Sequence, residues 1–208
     1  MTGDLTLANI GIIFVAILIS MGLHEAMHGY VAHWLGDSTA HDAGRLTLNP
    51  LKHIDALTTV LLPLFLIVLG APPIFAAKPV PFNPLRVKYE EFGAALIGLA
   101  GPFTNLLLAI VGAGLVRLFL GSSEFVVTSL VIFVQVNVGF FVFNMLPIPP
   151  LDGSRLIYAL VPESVQEVMA RFEQMGIVVV IIILVVLMPI ISPILNTMNS
   201  AILRTLLM

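Results

Sequence analysis

Apolar residues gather into long runs along this chain, and polar residues fill the gaps between them. The first run, from about Leu5 to His33, is compatible with one helix and is broken after Leu35 by Gly36-Asp37. A second, Ala56 to Phe75, is interrupted by Pro63, Gly70 and Pro72-Pro73, and reads as a poor spanning helix or as a re-entrant segment. The third runs from Phe92 to Leu120 and the fourth from Phe125 to Met145. A last spanning helix is expected from Met175 to Ile191, ended by Pro189 and Pro193, with an apolar tail to Met208. Runs of about 20 apolar residues are what a helix needs to cross a bilayer.

The connecting segments carry a different pattern. Between Gly36 and Asp55 the chain is polar and turn-rich, and Arg45, Leu46, Thr47 and Leu48 alternate with period two, which predicts a short strand. KPVPFNP, Lys78 to Pro84, predicts a second extended strand spaced by prolines. After the fourth run, Pro147, Pro149 and Pro150 forbid continued helix and leave Asp152 on broken backbone near membrane depth. Glu163 to Glu173 is amphipathic and is expected at the interface. The fold expected is an all-α membrane protein: a bundle of about four to five transmembrane helices with a short membrane-associated β-hairpin or re-entrant segment. It forms a single domain over 1–208, with a core at 5–160 and a C-terminal helix region at 161–208.

Composition agrees with the pattern, since 59% of the 208 residues are hydrophobic and only 10% charged. The nine Lys and Arg are scattered and the net charge is -3, so nucleic acid is not an expected partner. The first run lacks a basic leader and reads as a retained helix, not a cleaved signal. With no cysteine, any metal must be held by His, Asp or Glu.

Candidate chemistry lies inside the first run, at His24-Glu25-Ala26-Met27-His28. Positions i and i+4 share a helix face, so His24 and His28 can offer two imidazole nitrogens to one metal. A catalytic zinc takes three protein ligands, and Asp152 is the candidate third, because a carboxylate in apolar surroundings is costly unless paired or bound to a cation. Glu25 points to another side of the helix, which suits a general base. Asn144, eight residues before Asp152, is a candidate donor to a developing oxyanion; Asn105 reads as a helix-to-helix hydrogen bond. His33, His41 and His53 read as surface residues. A zinc transporter and a non-catalytic scaffold are the alternative readings, neither of which needs Glu25.

The same residues resemble the site-2 proteases, intramembrane zinc metalloproteases. The likeness lies in HEAMHGYVAHWLGD (His24 to Asp37), GRLTLNPLKHID (Gly44 to Asp55), KPVPFNP, AGPFTN (Ala100 to Asn105) and NMLPIPPLDG (Asn144 to Gly153). The resemblance is to compact, prokaryotic-type members without a PDZ-like or regulatory domain. It implies one zinc per chain held by His24, His28 and Asp152, catalytic Glu25, Asn144 near the scissile carbonyl, and a membrane-protein substrate cut in or near a transmembrane segment. It implies a multi-pass protein of a prokaryotic cell membrane.

Threading follows from bringing His24 and Asp152 to one metal. If Ala56 to Phe75 crosses fully, the fourth run ends on the wrong side; if it dips in and returns, Asp152 arrives beside the histidines. Re-entrance also places Arg45, Lys52, Lys78, Arg86, Lys88, Arg155 and Arg171 on one side, against Arg117 and Arg204 on the other. The positive-inside rule then predicts four spanning helices with the active site toward the cytosol.

Overall fold

A computed structural model describes residues 6–55, 59, 61, 77–175 and 177–208. Those residues form helices α1 (Leu7–Trp34), α2 (Thr39–Asp42), α3 (Glu90–Leu118), α4 (Glu124–Asn144), α5 (Gly153–Leu160), α6 (Glu163–Gln174) and α7 (Ile177–Leu207), with short 3-10 turns at Pro50–His53 and Pro84–Arg86. Four helices among the described residues are long and apolar enough to cross a membrane: α1, α3, α4 and, within α7, Val185–Leu207. At about 1.5 Å per residue, α1 rises roughly 40 Å, enough to span the hydrocarbon and project beyond it. Thr6 starts it, its side chain accepting from the N–H of Asn9.

The helix directions follow from which residues meet. Ile97 of α3 lies against His28 and Asn105 against His24, so α3 runs antiparallel to α1. Asn137 of α4 bonds Asn105, and a Cβ on Gly112 would lie 2.9 Å from Val134, so α4 runs antiparallel to α3 and parallel to α1. The middle of α7, at Leu187 and Ile191, packs with Leu146 just after α4, and its late residues Ile202, Leu203, Leu206 and Leu207 pack on Ala109, Ala113, Val116 and Val134. The chain therefore leaves α1 and begins α3 at the same end of the bundle. Arg45, Lys52, Lys78, Arg86, Lys88, Arg155 and Arg171 all follow α1 or α4 at that end, while Arg117 and Arg204 sit near the opposite ends of α3 and α7.

Three expectations need correction. Neither Arg45 to Leu48 nor Lys78 to Pro84 is a strand, and no strand occurs among the described residues. Thr47 N–H turns back onto Arg45 O (3.0 Å), and side chains hold the two segments instead of a ladder. Arg45 donates to Lys52 O (2.6 Å) and Lys78 O (2.7 Å), Glu25 accepts from Val80 N–H, and Asp37 accepts from Asn83 N–H. The prolines at 79, 81 and 84 have no N–H to give, so alternation there marks proline spacing and not an edge.

The second correction concerns Pro189 and Pro193, which lie inside α7 and do not end it. Each forfeits one helical bond, whereas stopping the helix would strip up to four donors and four acceptors in apolar surroundings, so continuing costs less. Third, His53 is buried, 1% exposed, with Nε2–H donating to Thr47 O at 2.9 Å; His33 and His41 are exposed as expected.

Whether Ala56 to Phe75 is re-entrant or spanning lies outside the described residues. The residues that flank it are side by side: Lys78 N–H donates to His53 O at 2.9 Å.

Candidate metal centre

Helical spacing brings His24 and His28 to one face of α1, ring centroids 4.7 Å apart and Nε2 atoms 3.0 Å apart. Both are buried. From the loop after α4, Asp152 brings Oδ2 to 3.0 Å from His24 Nε2 and 3.5 Å from His28 Nε2. Of the described residues, these three form the one His/Asp/Glu group with ligand atoms close enough to hold a metal, all within 4.8 Å of one another.

Glycines make this convergence possible. A Cβ on Gly101 of α3 would sit 2.5 Å from both Nε2 atoms, so only hydrogen fits where α3 passes the pair. One on Gly98 would sit 3.0 Å from Asp152 O, and one on Gly153 would collide with Met145 O. These positions let α3 and the Asp152 loop close on α1.

Hydrogen bonding decides which atoms face inward. His28 Nδ1 lies 2.6 Å from Ile97 O, a carbonyl that only accepts, so Nδ1 carries the proton and Nε2 the lone pair. His24 Nδ1 lies 2.6 Å from Asn105 Oδ1, and the Asn105 amide nitrogen already donates to Asn137 Oδ1 and Ser20 O, so the same assignment follows. With Nδ1 of each ring turned to an acceptor, both Nε2 atoms and the Asp152 carboxylate oxygen face one point, where neutral imidazoles offer two lone pairs. Asp152 Oδ2 is buried and has no hydrogen-bond donor. Three electron-pair donors at one point are repulsive alone and complementary to a divalent cation; two His and one Asp, with no thiolate, suit zinc with a place left for water.

Glu25 lies beside His24 but outside the group, its Oε2 accepting from Val80 N–H at 3.0 Å. Val80 itself is buried where Leu46 and Gly29 of α1 meet. Asn144, near the C-terminal end of α4, donates its Nδ2–H to Phe140 O one turn back (3.0 Å). Asn105, read from sequence as helix-to-helix glue, does bond another helix but also orients His24. Asn137 escapes a reading by motif, although an amide in so apolar a run is itself a signal.

Outside the membrane helices, Asp37 ties the same end together. Its buried carboxylate accepts from Thr39 Oγ1–H (2.5 Å), Thr39 N–H (3.0 Å) and Asn83 N–H (2.6 Å). Burial works to raise its pKa, but those donors outweigh it and hold the group below the ordinary 3.8.

Four apolar helices around a buried His-His-Asp group define a membrane protein with a zinc-type donor set. Comparison with known proteins gives the family. The chain is 35% identical over 204 residues to "Putative zinc metalloprotease YwhC" of Bacillus subtilis (strain 168), covering 91% of this chain and 88% of that protein. It is 32% identical over 197 residues to "Putative zinc metalloprotease Rip2" of Mycolicibacterium smegmatis, covering 91% and 71%. With the Rip2 of Mycobacterium tuberculosis (strain ATCC 25618 / H37Rv), identity is 29% over 162 residues, covering 77% and 61%. No family model matches the chain, and no solved structure does. The chain belongs to the zinc metalloprotease family of YwhC and Rip2.

Proposed function

We propose that this chain is an intramembrane zinc metalloprotease of the site-2 protease type, cutting a peptide bond in or near a transmembrane segment of another membrane protein. The observation that carries this reading is the convergence of two imidazole lone pairs and the Asp152 carboxylate inside a bundle of apolar helices. His24, His28 and Asp152 would hold one zinc per chain. Zinc bound there supplies Lewis acidity, which lowers the pKa of water and polarises a carbonyl.

The chain's own residues do the rest. Glu25 accepts a proton from the attacking water as its oxygen adds to the scissile carbonyl carbon, then returns a proton to the departing amine. The Val80 N–H holds that carboxylate off the ligand face of α1 while leaving its other oxygen for the proton. Asn144, released from Phe140 O, is assigned to the developing oxyanion. A helical substrate hides its carbonyls in its own hydrogen bonds, so it must unwind before attack. The end of the bundle with seven basic residues is assigned to the cytosolic side of a prokaryotic cell membrane.

The test is cleavage of a fluorescent transmembrane peptide in proteoliposomes by wild type and Glu25→Gln, with zinc measured in both. Cleavage should fall by about 10²- to 10⁴-fold, as expected for loss of a general base, while zinc stays near one per chain. A wild type that holds zinc and cuts no transmembrane peptide, or a Glu25→Gln variant that cuts at the wild-type rate, would return the chain to the zinc-carrier or scaffold readings.

A further inference from the structure

The two imidazoles are oriented by different means. His28 donates to a backbone carbonyl, Ile97 O, which cannot reverse its polarity. His24 donates to a side-chain amide, Asn105 Oδ1, which can. If Asn105 turned over, it would present N–H to His24 Nδ1, move the imidazole proton to Nε2 and remove a lone pair from the metal position. Something must therefore keep Asn105 the right way round.

A bond chain across three helices does so. Asn137 of α4 donates from Nδ2 to Phe133 O at 2.9 Å, which turns its Oδ1 toward α3. That Oδ1 accepts from Asn105 Nδ2–H at 2.9 Å. The remaining Asn105 donor reaches Ser20 O of α1 at 3.3 Å, a longer and weaker bond. Asn105 and Asn137 are both fully buried, so water does not compete for these bonds. A reversed Asn105 would set its oxygen against two other oxygens.

We propose that Asn137 is a positioning residue for the metal centre, acting through Asn105 to fix which nitrogen of His24 carries the proton. This rests on the zinc reading of the site. It differs from simple helix glue, because glue would hold α3 against α4 without selecting the tautomer of a residue on α1.

Zinc affinity, measured by competition with a chromogenic chelator, separates the two. Asn137→Leu removes the acceptor and should weaken zinc by about ten- to a hundredfold, the usual cost of losing a partner behind a metal ligand. Asn137→Asp keeps the acceptor and should stay within roughly threefold of wild type. Asn105→Leu should cost at least as much as Asn137→Leu, and the double variant no more than Asn105→Leu alone, because the two act in one chain. Val138→Ala, also fully buried on α4, should lower the unfolding temperature with no change in zinc affinity.

A second readout needs no metal. Nitrogen-15 NMR of histidine-labelled apo protein should show His24 protonated at Nδ1 in wild type and mixed tautomers in Asn137→Leu. Unchanged zinc affinity and an unchanged His24 tautomer in Asn137→Leu would overturn the proposal, as would additive losses in the double variant. Should wild type itself bind no zinc, that result counts against the protease reading, and the tautomer measurement still decides the role of Asn137.

Discussion

Glu25 and Val80, 55 residues apart, are joined by a hydrogen bond of 3.0 Å from the Val80 N–H to the Glu25 carboxylate. Val80 is the residue between two prolines, so at this point the segment has one N–H to offer, and it is spent on the proposed base. Val80→Pro removes that donor. A hydrogen bond to a charged group is worth about 1.5–3 kcal/mol, so cleavage should fall by roughly ten- to a hundredfold with zinc content unchanged. Wild-type turnover in this variant would show that Glu25 needs no such support.

Gly101 admits no side chain. The imidazoles facing it are held by Asn105 and Ile97 and cannot swing away, so Gly101→Ala should cost about 1–3 kcal/mol of stability by overpacking and weaken zinc binding. Gly114, on the same helix, is the control, because a Cβ there would meet nothing within 4 Å. Gly114→Ala should be neutral or stabilising by about 0.5–1 kcal/mol. Thermal unfolding in detergent of both variants checks the contrast.

Zinc itself should stabilise the fold. At free zinc about a hundred times Kd, the gain is about 2.7 kcal/mol, read as a rise in unfolding temperature that chelator reverses along with cleavage. In Asp152→Ala the zinc-dependent rise should vanish, because the third donor is gone. A full shift in that variant would place the metal elsewhere.

Acid should loosen the loops at the basic end of the bundle. Asp37 has its pKa held below the ordinary 3.8, so its contribution to stability is complete above that value and is lost as pH falls through the lower folded-state value. Unfolding temperature followed from pH 7 downward should drop more steeply in wild type than in Asp37→Asn, which begins less stable. Parallel profiles would remove Asp37 from this role.

Side of the membrane is open to direct test because the chain has no cysteine. Lys88→Cys and Gly121→Cys, at opposite ends of α3 and both exposed, should react with an impermeant maleimide from opposite faces, Lys88→Cys from the cytosolic one. Labelling of Lys88→Cys from outside intact cells would invert the proposed orientation.

His24, His28 and Asp152 can be read from the chain because each stands against its surroundings. Histidines at i and i+4 mark a helix face whatever lies around it, and a carboxylate beyond a proline-broken apolar run asks for a cation. The need for His24 and Asp152 to meet also gives the helix directions. These two segments pass for strands because period-two alternation reports only that side chains alternate, while the side chains of Arg45, Glu25 and Asp37 give Lys78 to Asn83 the partners a ladder would have supplied. Pro189 and Pro193 look like stops only under a rule made for water, where a broken helix end can be solvated. The part Asn137 plays is hidden in the chain because it depends on Asn105, 32 residues away, which only the packing of α3 on α4 reveals.

The bond from Lys78 to His53, clasped by Arg45 reaching to Lys52 and Lys78, means that the chain departs and comes back through a single doorway. The bonds that join those posts are made by Arg45, Lys52, His53 and Lys78, all outside the stretch from 56 to 75. Lengthening such a loop costs only a slowly growing logarithmic entropy, about 0.6 kcal/mol per doubling. Changes of length between those posts should therefore leave His24, His28 and Asp152 where they are.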